Sequence, residues 1–129
     1  MDALPHWPEA TVAVLVTGER HAIPVSLAIR TGDRALTLGL APRRESLANL
    51  DRDPRCAVTI LAPGAAFTAY GRATIVDADP VKGVRVEVDE IADHDQPTFE
   101  ITAGVAWHWT DDEAATRDAG ARDSLRRLA

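Results

Sequence analysis

From Thr11 to Thr17 and from His21 to Ile29, β-branched and apolar residues run in short blocks separated by Gly18-Glu19-Arg20, the signature of two strands joined by a hairpin. Thr31-Gly32-Asp33 is a second turn signal, and Ala35 to Leu40 forms a third strand of alternating small and large residues. The two-residue alternation stops at Pro42. Leu47 and Leu50 lie three apart, which predicts a short helix from Pro42, a favourable first helical residue, to a stop near Asp53, because Pro54 disfavours α geometry just before it.

Cys56 to Leu61 reads as a fourth strand closed by Pro63-Gly64, and Phe67 to Asp77 as a long fifth. In the sixth, Val84, Val86 and Val88 oppose Arg85, Glu87 and Asp89. Phe99, Ile101, Val105, Trp107 and Trp109 share one parity and predict a seventh. Thr110 to Glu113 reads as a capping box with Thr110 as the cap, opening a terminal helix over about 111–128. Its apolar face holds two large residues, Leu125 and Leu128, which predicts loose docking or a partner chain. Seven strands with turns every 8 to 12 residues predict a mainly β protein, a closed or nearly closed antiparallel barrel with one short helix between strands 3 and 4.

At 129 residues, 46% hydrophobic and 26% charged, the expectation is one domain over 1–129 with its own core. The net charge of -6 disfavours a nucleic-acid partner. The single cysteine, Cys56, excludes an internal disulfide and a multi-thiolate zinc site. Thr11 to Thr17 is too short to span a bilayer, which takes about 20 residues, and residues 1–10 lack a secretory pattern, so cytoplasm is the expected compartment and no membrane partner is expected.

No Gly-rich phosphate loop, nucleophile elbow or helix-borne His pair is present, which removes the common kinase, hydrolase and zinc-protease mechanisms. Asp89, Glu90, Asp93, His94 and Asp95 match no calcium or zinc ligand spacing, and a solvated loop is the preferred reading, with no metal expected. Trp107 and Trp109 are expected to pack on the apolar face, with His108 pointing the other way. The richest chemistry lies at Ala41-Pro42-Arg43-Arg44-Glu45-Ser46. Helix N–H groups, two guanidinium groups and a hydroxyl could converge there on one anion, or the two arginines could be a solvated surface pair.

Ala22-Ile23-Pro24-Val25-Ser26, Arg43 through Leu50, Asp53-Pro54-Arg55 and Tyr70-Gly71-Arg72-Ala73, in this order, resemble the pyridoxamine 5′-phosphate oxidase-like family of split β-barrels. The resemblance is strongest from Thr11 to Val76. It implies a homodimer with FMN at the interface of two barrels, the phosphate held at the start of the short helix. Arg43, Arg44, Ser46 and Asn49 are the residues it implies there, with the isoalloxazine along Ile23, Pro24, Val25 and Ser26 and close to Thr37 and Leu38. An ungapped match on Asp53-Pro54 sets Arg44-Glu45-Ser46 where the family often carries serine, arginine and lysine. A two-residue insertion in the helix would instead set Arg43-Arg44 on the basic pair. The implied function is a small-molecule oxidoreductase using FMN. A deazaflavin-dependent reductase and a cofactor-free binding or stress-response module are the alternatives. The C-terminal arginines, Arg117, Arg122, Arg126 and Arg127, do not follow the pattern of true pyridoxamine phosphate oxidases.

Overall fold

A computed structural model describes residues 1–128. Its strands are β1 (Ala13–Thr17), β2 (His21–Val25), β3 (Ala28–Gly32), β4 (Ala35–Leu40), β5 (Arg55–Ala62), β6 (Ala65–Ala78) and β7 (Val81–Asp93), with helices α1 (Glu45–Arg52) and α2 (Asp112–Arg127). All seven strands form one antiparallel sheet in the order β2-β1-β5-β6-β7-β4-β3. The sheet is open, yet its two edge strands are consecutive in the chain. β2 and β3 are joined through Ser26 and Leu27, so the curved sheet returns upon itself and leaves a split where β2 pairs only with β1 and β3 only with β4.

This division corrects the single strand expected over His21–Ile29, and Pro24 supplies a physical reason. Proline has no N–H to give a second neighbour and is confined to strand edges. Pro24 faces Val14 of β1 across the register, and its carbonyl also accepts from Arg44 Nη2 at 3.4 Å. Three residues later the chain crosses to the other side of the split, where Leu27 O accepts the N–H of Gly39 at 2.9 Å.

The interior follows the alternation. Ala13 and Leu15 of β1, Leu36, Leu38 and Leu40 of β4, Val58 and Ile60 of β5, Phe67 and Ala69 of β6, and Val84 and Val86 of β7 form one buried cluster. Leu47 and Leu50 of α1 close over it. The N-terminal segment also joins the core, which the sequence did not announce. Leu4 is buried, and Trp7 packs on Phe67 at 5.6 Å between ring centroids while donating its indole N–H to Ala28 O at 3.0 Å. At the β7 bulge, where the register shifts opposite Tyr70 and Gly71 of β6, the chain needs glycine, since a Cβ at Gly71 would run into the backbone carbonyl of Glu87.

Four further expectations are corrected. α1 begins at Glu45, with Arg44 as its cap, rather than at Pro42. The sixth expected strand extends well past both ends of Val84–Asp89, pairing with β6 on one side and β4 on the other. Phe99 to Trp109 is not a strand but an irregular run. The run pairs with neither edge strand of the sheet, β2 or β3, and instead drapes along the outside, with Gly104 against Leu61 O and Trp107 Nε1 donating to Ala10 O at 2.8 Å. The helix cap is Asp111, not Thr110, its Oδ1 accepting from Glu113 N at 2.8 Å.

α2 is also firmly docked. Leu125 is 0% and Ala121 1% exposed, and they pack with Leu27 and Ala78 in a second buried cluster. Two glycines make this possible. Gly39 of β4 and Gly83 of β7 are register partners, and a Cβ on either would press within 3.3 Å or 3.2 Å of the Leu125 methyl groups. The pair therefore leaves room on the outer face of the sheet that Leu125 shares with Leu27 over Gly39 and with Val76 over Gly83. Arg122, its side chain 7% exposed, bonds Glu9 at 2.9 Å and Asp118 at 3.4 Å, and Ser124 Oγ donates to Asp79 O at 3.2 Å.

Candidate functional site

The split in the sheet opens into a cleft of about 470 Å³. Pro24, Val25, Ser26 and Leu27 line one wall at the β2–β3 junction, and Gly39 through Pro42 with Arg44 line the turn from β4 into α1. Pro80 and Val81 close a third side, and Trp109, Ala114, Arg117, Asp118 and Ala121 close the fourth from the start of α2. The volume suits a small organic molecule. The walls are mainly apolar, with a short row of polar groups: the unpaired edge of β2, the Arg44 and Arg117 guanidinium groups, and the Asp118 carboxylate, which already answers Arg122.

Four of the ten residues singled out in the sequence, Pro24, Val25, Ser26 and Arg44, meet in this cleft. Ile23 lies half-buried on β2 against the main core, and Leu38 is fully buried within it. Thr37 is buried on the opposite face of β4, its Oγ1 3.2 Å from Thr31 Oγ1. Arg43 is exposed at the turn before α1. Asn49 faces inward and bridges elements: its Nδ2 donates to Thr17 Oγ1 at 3.1 Å, and its Oδ1 accepts from Arg52. Ser46 is 0% exposed, and its Oγ has no hydrogen-bond partner. Glu45 turns its carboxylate to His21, 3.8 Å away.

Sequence reasoning missed the fourth wall. Arg117 and Trp109 reach the cleft because α2 docks on the Gly39–Gly83 pair, and two glycines opposite each other across strands are visible in a sequence only once the register is known. Trp109 is 40% exposed, so it is a surface wall rather than the packed residue expected, and it meets Trp107 edge-on at 5.2 Å and 88°. Val105, grouped with them by parity, is 69% exposed. In the acidic run, His94 Nε2 lies 2.7 Å from Thr68 Oγ1, and no group of three or more potential metal ligands forms among the described residues. No helix of the described chain is long and apolar enough to cross a membrane.

Cys56 is buried, and burial pushes its thiol up to about 11. Asp53, just after α1, is held down at about 2 by the hydrogen bond from the Arg55 side chain, helped by the Arg55 backbone N–H at 3.1 Å. This pair ties the end of α1 to the start of β5 and lies outside the cleft.

An open antiparallel barrel, split beside a proline-bearing edge strand and flanked by a short helix, defines the class of the protein. The solved structures it resembles make the fold specific. A Listeria innocua protein named for pyridoxamine 5′-phosphate oxidase aligns over 65% of this chain and 88% of its own at 14% identity and a TM-score of 0.53. The flavin reductase PheA2 aligns over 67% and 81% at 13% identity and 0.57. A homologue of nitrilotriacetate monooxygenase component B from Mycobacterium thermoresistibile aligns over 68% and 72% at 12% identity and 0.56. The chain has the split-barrel fold of the pyridoxamine 5′-phosphate oxidase-like and flavin reductase proteins. No protein-family profile and no curated relative matches it by sequence.

Proposed function

We propose that the chain binds a flavin in the cleft at the split, FMN in the first instance, and serves as a small-molecule oxidoreductase in a homodimer whose two barrels share the cofactor. The observation that carries this reading is the free edge of β2, where Pro24 to Leu27 line a mainly apolar cleft that ends at Arg44. The fold supports it, since solved structures of this fold include a flavin reductase and a flavoredoxin. A flat ring can lie against apolar walls while backbone carbonyl and N–H groups fix its polar edge.

The donor set fits a flavin in part. Arg43 and Arg44 stand exposed at the start of α1, where the helix N–H groups add to their attraction for a phosphate. Ser46 and Asn49 contribute nothing there, because one is sealed and the other is committed to Thr17 and Arg52. The bound flavin would supply the hydride and electron transfer. The chain's part is to hold the ring against the β2 edge, exclude water with Val25, Leu27, Val81 and Trp109, and neutralise the phosphate with arginine.

The sealed Ser46 and the Glu45 carboxylate at the start of α1 favour a second reading, a barrel of this fold that binds its ligand without a cofactor. Titration of the purified protein with FMN, and with a deazaflavin in parallel, separates the two by absorbance and flavin fluorescence. Saturation at one cofactor per subunit is expected, and the tighter ligand names the cofactor. Replacing Arg43 and Arg44 together with alanine should then weaken FMN by about 1.5–3 kcal/mol for each charged hydrogen bond lost. Failure of both ligands to bind would end the flavin reading and leave the binding module.

A further inference from the structure

The sequence pattern assigns the anion of a ligand to the start of α1 alone, but the cleft has a second cationic wall. Arg117 projects from α2 into the same cavity that Arg44 enters from the α1 side. Arg44 donates to Pro24 O at a long 3.4 Å, and neither arginine forms an ion pair among the described residues. Two other arginines of α2 are committed, Arg122 to Glu9 and Asp118 and Arg126 to Glu9. Asp118 is the acidic residue lining the cleft, and Arg122 already neutralises it. The cavity is therefore positive on a protein whose net charge is -6, a contrast that draws in a small anion while the surface as a whole repels a polyanion.

We infer that the anionic end of the ligand is gripped between Arg44 and Arg117, so that the terminal helix supplies half of the anion site. The inference rests on the flavin reading for its ligand, with the phosphate of FMN as the group held. It relocates that phosphate toward α2 and away from Ser46, whose hydroxyl is sealed inside α1. Position on α2 is well defined, because Leu125 in the Gly39–Gly83 hole and the buried Arg122 fix the helix against the barrel. Trp109, held edge-on by Trp107, gives the same site an aromatic wall and a fluorescent reporter.

The test compares FMN with riboflavin, which lacks the phosphate, on the wild type and on Arg117→Gln. The side chain of Arg117 is exposed and unpaired, so the substitution should leave the unfolding midpoint in place. The expected result is a loss of tenfold or more in FMN affinity with riboflavin affinity unchanged. Equal weakening of both flavins, or no change in either, overturns the inference while the flavin reading stands. If the wild type binds neither flavin, the flavin reading falls, and pyrophosphate decides the anion site. Amide NMR shifts at both Ala41–Arg44 and Ala114–Ala121, abolished in Arg117→Gln, would uphold it, and shifts at neither wall would end it.

Discussion

Leu125→Ala isolates the contact on which the fourth wall of the cleft depends. The side chain is 0% exposed, and its methyl groups occupy the hole left by Gly39 and Gly83. Removing three carbons forfeits about 2.4 kcal/mol of transfer free energy, at about 0.8 kcal/mol for each buried carbon. A cavity term adds to this, because two glycines have no side chains with which to refill the space, and the total comes to about 3–5 kcal/mol.

What remains to hold α2 is Ala121, the Arg122 pairs, the exposed Arg126–Glu9 pair and the Ser124 bond to Asp79. Most helical stability in proteins comes from tertiary packing of the apolar face, which Leu125 dominates here. The expected response is therefore local undocking while the barrel stays folded. Amide hydrogen exchange resolves this. Protection of α2 amides should fall by roughly 100-fold or more, since about 1.4 kcal/mol is a factor of ten, while amides of β5, β6 and β7 change little. Loss of protection shared equally by barrel and helix, or a loss under tenfold in α2, would refute the reasoning. Leu128→Ala is the control: that side chain is 50% exposed, and its removal should cost no more than about 0.5 kcal/mol.

Two other outcomes follow from single side chains. Ser46→Ala removes a buried hydroxyl that has no partner and installs a better helix former, so denaturant unfolding should show unchanged or improved stability, by up to about 1 kcal/mol; a clear loss would mean that the hydroxyl has a partner after all. Asp53→Asn should matter only above the acid range. The folded carboxyl titrates at about 2 against an ordinary 3.8, so its contribution is full above the ordinary value and is lost as pH falls toward the folded one. The unfolding midpoints of wild type and variant should differ at neutral pH, converge between about pH 4 and 2, and differ less in high salt because the pair is exposed. A gap as wide at pH 2 as at neutral pH would contradict this account of Asp53.

Much of the barrel could be read from alternation alone. Val84, Val86 and Val88 face the core as their spacing requires, and the helix predicted around Leu47 and Leu50 buries both. Alternation failed at Phe99 to Trp109, because period two says that a segment could be a strand but not whether it meets a partner strand in the fold. Pro24 carried more information than its place inside an apolar run suggested. A residue without an N–H marks the strand edge where the sheet must open, and four of the ten residues picked for the site gather around that opening. The other six were chosen by position in a motif, and a motif does not state which way each side chain turns. Ser46 and Asn49 lie on the buried side of a short helix, and Leu38 lies on the core side of its strand.

By itself, then, the amino-acid pattern determined the mainly β class, the short helix before Asp53-Pro54, the terminal helix and the inward parity of most strands, because these follow from local propensity and from period. Only the tertiary structure decided the rest. Register set Gly39 opposite Gly83, a leucine that looked too sparse to dock a helix found room over the pair, and docking brought Arg117 and Trp109 to face Arg44. Arg117 and Trp109 lie 73 and 65 positions from Arg44 in the chain, and no local signal links them. Their meeting depends on which strands are neighbours, and that is a property of the folded sheet.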